Sequence, residues 1–189
     1  MRTIRMLTPW ERTKYRDHLL RLGPEDRRRR FGGAIDDCGI AAVVDRIDFR
    51  TAAVLAVFND PLEVVAAVMV AADHDCGAEL AFSVEEGHRG NGLGRALLGR
   101  AILWARNRGF DRVDVVFLYD NDAMRHLARR AGMRIVTRGG ECEGSLDIAA
   151  ANVVSLWSEA VGEQVAIADV AVKANWRAAD RVARFLRAA

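Results

Sequence analysis

A chain of 189 residues, 51% hydrophobic and 29% charged, has the make-up of a globular protein with a substantial core, which excludes the disordered and fibrous classes. Its 28 basic and 26 acidic side chains leave a net charge of +2, so bulk charge gives no attraction for nucleic acid. The one basic run, Arg27-Arg28-Arg29-Arg30, follows Glu25 and Asp26 and reads as a solvated helix face, with no zinc-finger, helix-turn-helix or RNA-binding pattern beside it.

Thr3 to Met6 suits a short first strand. Pro9 opens a helix expected to reach Leu22, with Trp10, Tyr15, Leu19 and Leu22 as its buried stripe. Gly23-Pro24 breaks it, and Pro24-Glu25-Asp26 starts a short second helix ending near Gly32-Gly33. Asp36 or Asp37 is placed to cap a third helix, in which Ile40, Val43, Val44 and Ile47 recur at helical spacing. Ala52 to Phe58 and Leu62 to Ala71, joined at Asn59-Asp60-Pro61, read as a hairpin. A turn at Asp73-His74-Asp75-Cys76-Gly77 leads to a further strand, Ala78 to Val84. Gly92 to Arg108 is a helix with Leu93, Leu97, Ala101 and Trp104 inward, ended by Gly109. Val113 to Leu118 is almost continuously apolar, as expected of a strand covered on both faces.

Asn121 to Ala131 is a short helix stopped by Gly132, and Arg134 to Val136 and Ser145 to Ile148 are candidate closing strands around Gly139-Gly140. The alanine-rich remainder carries one helical stripe at Val153, Leu156, Trp157 and Val161 and another at Trp176, Ala179, Val182 and Leu186. One or two helices are expected there, lying over the sheet or joining two subunits as a homodimer. The fold class is therefore α/β, with a mixed α+β sheet over residues 1–148 and a helical extension over 149–189.

Cys38, Cys76 and Cys142 are odd in number and widely spaced, which suits reduced thiols in a cytoplasmic protein and offers no CxxC pair. Met1 to Thr8 lacks the apolar stretch of an export signal, and no run approaches the roughly 20 residues of a membrane span. Neither membrane nor nucleic acid is expected as a partner. His18, His74 and His126 show no spacing that suggests a metal site.

The most informative stretch is His88-Arg89-Gly90-Asn91-Gly92-Leu93-Gly94-Arg95, between an apolar strand and a long amphipathic helix. Alternate glycines let the backbone turn tightly and approach a ligand, and the first N–H groups of the helix make the junction an anion site. The register excludes the usual nucleotide loops. Counting from Gly90, the third glycine of a dinucleotide fingerprint falls on Arg95, and Gly94-Arg95-Ala96 lacks the lysine and hydroxyl of a triphosphate loop.

Arg89-Gly90-Asn91-Gly92-Leu93-Gly94 matches throughout the Arg/Gln-x-x-Gly-x-Gly/Ala motif of the GNAT superfamily of acetyltransferases. From about Thr3 to Ile148 the order of elements resembles that family, and Asn121 with Leu127-Ala128-Arg129-Arg130-Ala131-Gly132-Met133 resembles its next motif. A narrower resemblance, to the acetyltransferase domain of bacterial protein lysine acetyltransferases, rests on Leu22-Gly23-Pro24-Glu25-Asp26-Arg27, Arg30-Phe31 and Ala78-Glu79-Leu80-Ala81-Phe82.

The resemblance implies acetyl-CoA as acyl donor, no metal, and an amine acceptor, either a protein lysine or a small molecule. It assigns the pyrophosphate to the amides of Arg89, Gly90, Asn91, Gly92, Leu93, Gly94 and Arg95, with the two arginines as charge partners. The pantetheine arm would follow Phe82, Ser83 and Val84 in a gap between the fourth and fifth strands, and Asn121 would cap its helix or lie near the cofactor. Glu79 is the candidate general base. It is a lone acid among small and apolar strand residues, a costly placement unless it reaches water, a partner or substrate. The resemblance puts a catalytic glutamate at the same place. The family's tyrosine acid is replaced by Ala128, which leaves Tyr119 or solvent to protonate the thiolate. Trp10, Tyr15 and Phe31 line the acceptor side or pack in the core. Two functions are open: an acetyl-CoA-dependent N-acetyltransferase, or an acyl-CoA-binding sensor or assembly module without catalysis.

Overall fold

The structure, a computed structural model, describes residues 3–73 and 77–188. The expected turn residues His74, Asp75 and Cys76 lie outside the described residues, as do the side chains of the second C-terminal stripe, Trp176, Ala179, Val182 and Leu186. The strands are β1 (Ile4–Met6), β2 (Ala52–Phe58), β3 (Val64–Ala72), β4 (Gly77–Val84), β5 (Arg112–Leu118), β6 (Arg134–Arg138) and β7 (Glu141–Asp147). They form a seven-stranded mixed sheet in the order β1-β2-β3-β4-β5-β7-β6. Every neighbouring pair is antiparallel except β4 and β5, which run parallel.

The helices are α1 (Arg12–Leu20), α2 (Pro24–Phe31), α3 (Asp37–Asp45), α4 (Leu93–Asn107), α5 (Asp122–Arg130) and α6 (Val153–Ala188). Local chemistry explains their limits. Pro24 sits in the first turn of α2, and Gly32 ends it in the left-handed region at φ 75°. Asp36 caps α3 by accepting a hydrogen bond from the Gly39 N–H at 2.7 Å. The β2–β3 hairpin closes on Asn59, whose backbone N–H donates to the Glu63 carbonyl at 3.0 Å while its side-chain oxygen accepts from the Glu63 N–H at 2.8 Å.

Helices cover both faces of the sheet, giving two cores. On one face Leu93, Leu97, Ala101 and Trp104 of α4 are buried with Leu55, Val68, Leu80 and Val115. On the other, Tyr15, Leu19, Ile40 and Val44 are buried with Val54, Ala56, Val64 and Ala67. Each large aliphatic side chain buried this way contributes about 1.5–3 kcal/mol.

Two expectations are corrected, and of the two placements open to the C-terminal stripe, burial over the sheet does not hold. Trp10 is 92% exposed. The segment Pro9–Glu11 is a 3-10 turn preceding α1, and its tighter winding takes Trp10 out of phase with the buried stripe. β5 is not covered on both faces, because Val116 is exposed beside Asp114, which is buried. The stripe Val153, Leu156, Trp157 and Val161 faces outward. α6 is a single helix, about 54 Å long at 1.5 Å per residue, and it docks through polar groups instead. Asn107 and Arg108 bond Glu159, Ser155 bonds Asn107, and Glu163 takes the Met6 N–H and Arg100. No helix among the described residues is long and apolar enough to cross a membrane.

Candidate active site

The β4–β5 ladder is short. Gly77 pairs with Arg112, Ala78 with Val113 and Glu79 with Asp114; there the pairing stops, although both strands continue. Residues 80–84 and 115–118 thus run on without pairing to one another, and the sheet opens into a wedge with Glu79 and Asp114 at its apex. Strand alternation divides β4 between the faces. Ala78, Leu80, Phe82 and Val84 pack in the α4 core, while Glu79, Ala81 and Ser83 belong to the opposite face, where α2 lies against both β4 and β5.

The glycine turn closes the open end of the wedge. Gly90 and Gly92 have φ 72° and 74°, the left-handed region that only glycine enters cheaply. A Cβ on either would meet nothing within 4 Å, so the space above the turn is free for a ligand. Gly92 is the N-cap of α4 and supplies no side-chain cap; Leu93, Gly94 and Arg95 form the first turn, whose N–H groups have no acceptor within the helix. The Asn91 amide donates to the carbonyls of His88 and Arg89 at 3.3 and 3.1 Å and stiffens the turn. A Cβ on Gly94 would lie 3.5 Å from Leu127, an ordinary contact distance. Arg95 is exposed. Arg89 forms an ion pair with Asp26 of α2, and its Nε donates to the Val84 carbonyl at 3.3 Å. Arg28 of α2 also pairs with Asp120, just beyond β5. α2 is therefore tied to both walls of the wedge.

At the apex Glu79 is exposed and Asp114 is buried. Arg112 Nε donates to Asp114 Oδ2 at 2.7 Å. Phe82 and Val84 lie partly buried along the wedge wall, and Ser83 is buried. Asn121 caps α5, its Oδ1 accepting from the Met124 N–H at 3.2 Å. Tyr119 is exposed beyond the end of β5, with the Arg125 guanidinium 4.3 Å from its ring centre. It stands five residues past Asp114, about 16 Å along an extended chain, so the structure does not bring Tyr119 and Glu79 together. Ala128 is fully buried. Tyr15 is also buried, its hydroxyl accepting from Arg30 Nη2 at 3.1 Å, and Phe31 packs against the α1–α3 core.

Sequence reasoning missed one buried cluster. His18 of α1 has Nδ1 2.9 Å from Glu85 Oε1 and Nε2 2.9 Å from Ser83 Oγ. Arg21 adds hydrogen bonds to Glu85 at 2.8 Å and to the Val64 carbonyl. Burial pushes the His18 pKa down against the pull of Glu85. Burial alone would raise that of Glu85, but hydrogen bonds from His18 and Arg21 hold it below the usual carboxylate value. Among the described residues, no group of three His, Cys, Asp or Glu is placed to hold a metal ion.

Comparison with known proteins agrees with this architecture. A sequence model of the acetyltransferase (GNAT) family matches residues 8–133. A search of curated protein sequences gives no match. Among solved structures, the GNAT domain of S. lividans PAT is similar with a TM-score of 0.66 at 24% identity, covering 77% of this chain and 89% of that one. Spermidine N-acetyltransferase from Vibrio cholerae, in complex with CoA and spermine, gives 0.60 at 14% identity, covering 77% and 94%. A mutant of the cAMP-binding acyltransferase from Mycobacterium smegmatis gives 0.57 at 22% identity, covering 87% of this chain and 51% of that protein, about half its length. With the family model spanning most of the chain, and the glycine turn and split parallel strands in the order described, the chain belongs to the acetyltransferase (GNAT) family.

Proposed function

We propose that this chain transfers an acetyl group from acetyl-CoA directly to a primary amine, with Glu79 as the general base. The observation that carries the reading is the wedge between β4 and β5, which leads from the free N–H groups at the start of α4 to a carboxylate at its apex. From Val84 to Glu79 the strand spans about 17 Å, and residues 80–84 present a backbone edge that β5 does not use. A pyrophosphate fits the turn at Arg89–Arg95, where the helix end favours negative charge, and a pantetheine arm fits the edge at Phe82, Ser83 and Val84.

The acceptor arrives as an ammonium, with a pKa near 10 for a lysine-like amine. Glu79 takes its proton, directly or through water. The neutral nitrogen attacks the thioester carbonyl carbon; as the C–N bond forms the nitrogen gives up its second proton to solvent, and the C–S bond breaks to release the CoA thiolate. A CoA thiol is acidic enough that a proton from solvent suffices for the thiolate. Tyr119 takes a smaller part, reaching only a thiolate that leaves toward the open end. Asn121 serves first as a helix cap and stands near the cofactor second. The acceptor is a protein lysine or a small amine; the similar structures include PAT from S. lividans and a protein bound to spermine. Residues 1–148 form the catalytic unit in this reading, with the extension at 149–189 available for a homodimer.

Steady-state transfer at saturating acetyl-CoA tests the base. Glu79→Gln should lower kcat by well over tenfold, and turnover close to wild type removes Glu79 from the role. A second reading draws on the buried Ala128 where a tyrosine donor would stand: a sensor that binds acyl-CoA without catalysis. It predicts tight acetyl-CoA binding by the wild type and no thioester loss with any primary amine.

A further inference from the structure

We propose that Asp114 is the second carboxylate of the acceptor site, and that with Glu79 it holds the acceptor as a primary alkylammonium at the apex of the wedge. The inference rests on the acetyltransferase reading above and names the chemical form in which the acceptor is bound.

The register supplies the first reason. Glu79 and Asp114 face each other across the last rung of the β4–β5 ladder, where adjacent strands lie about 4.8 Å apart. A Cβ built on Gly77 would meet Asp114 Oδ2 at 2.9 Å and Arg112 Nη2 at 3.2 Å. Gly77, Asp114 and Arg112 therefore share one face of the sheet, and alternation along β4 adds Glu79 to it. That is the face on which α2 lies.

The second reason is an unmet hydrogen bond. The Asp114 residue is 5% exposed. Its Oδ2 accepts from Arg112 Nε at 2.7 Å, yet its Oδ1 is buried with no hydrogen-bond partner. A carboxylate oxygen deprived of both water and a donor is a costly arrangement, and a structural ion pair with Arg112 does not require one beside a second carboxylate.

Charge and donor geometry identify the ligand. Glu79 and Asp114 set two carboxylates opposite one another on one face, which favours a cationic ligand. An alkylammonium brings three N–H donors, enough for Asp114 Oδ1 and a Glu79 oxygen together, with one left over. Oδ1 is closed to water in the free protein, so amine binding includes a side-chain shift at Glu79, which is exposed, or at Arg112, which is one-third exposed. Holding the ammonium at the apex keeps its nitrogen beside the base that deprotonates it.

The test is equilibrium binding of Nα-acetyl-L-lysine amide to protein saturated with CoA, which cannot react. Nα-acetyl-L-norleucine amide, lacking the charge, is the control. Asp114→Asn should weaken the lysine probe at least tenfold and leave CoA affinity unchanged. Arg112→Gln, which removes the competing cation and keeps the carboxylate, should bind the probe as tightly as wild type or more tightly. Gly77→Ala crowds Asp114 without altering any charge and should also weaken the probe, which keeps the test alive if Asp114→Asn does not fold. Unchanged probe affinity in Asp114→Asn overturns the proposal. So does an Arg112→Gln that loses affinity in parallel with it, or a CoA-bound wild type that does not prefer the lysine probe to the norleucine one. A wild type that fails to bind CoA at all overturns the acetyltransferase reading instead.

Discussion

His18, with none of its surface exposed, bridges a hydroxyl and a carboxylate that flank Val84 at the end of β4. The carboxylate fixes the tautomer: Nδ1–H donates to Glu85, and Nε2 accepts from Ser83. Since burial lowers the imidazole pKa below 6.5, the unfolded chain binds a proton at a pH where the folded one does not. Stability from this group is complete above about pH 6.5 and is lost as the pH falls below it. Carboxylates held low, such as Glu85, begin to cost stability only below their ordinary 4.5. Urea unfolding between pH 7.5 and 5 should therefore show a decline that His18→Gln lacks; a flat wild-type profile there contradicts it. No pattern in the chain announces this cluster, because His18 meets Ser83 and Glu85 across 65 and 67 residues. Asp114 was equally hidden, as one acid in an apolar run whose neighbour appears only once the β4–β5 register is known. The glycine turn was legible because its conformation can be met by so few residue types. Gly92→Ala, forcing a Cβ onto φ 74°, should cost about 1–2 kcal/mol in denaturant unfolding and weaken acetyl-CoA binding.

At the scale of elements, existence and order were readable, as was the phase of α4, whose Leu93, Leu97, Ala101 and Trp104 are buried as their spacing predicts. Proline, aspartate and glycine marked the ends of α2, α3 and α4, where their backbone preferences decide the outcome. The C-terminal stripe shows the limit. Apolar spacing left the stripe of α6 either over the sheet or between subunits, and ion pairs and hydrogen bonds from Asn107, Arg108 and Arg100 dock the helix by its opposite face. Such bonds depend on which residues α4 offers nearby, and helical periodicity carries no information about that. The valines and Trp157 left outside give the proposed homodimer its surface. Light scattering should then report a dimer for the wild type and a monomer for Val161→Glu. A monomeric wild type removes the idea. α2 shows the same dependence on neighbours. Its arginine run reads as a solvated face, but Arg28 reaches Asp120, and Asp26 of the same helix holds Arg89.

For the molecule as a whole, the ladder that ends at Glu79 and Asp114 divides the sheet into unequal halves. β1 to β4 form one antiparallel block, β5 to β7 another, and among the described residues the sole strand pairing between them is a parallel seam three residue pairs long. A seam so short leaves the two blocks with little backbone bonding in common. An extended ligand along residues 80–84 would act as a missing strand and stitch them over their remaining length. Donor binding should thus be felt far from the pocket, adding RT ln(1 + [L]/Kd), about 2.7 kcal/mol at a hundredfold excess over Kd. Hydrogen exchange with and without CoA should slow at amides of both β4 and β5, as well as at the turn. Protection confined to the turn would mean that the blocks stay separately held, and that the cofactor is a guest of one half alone.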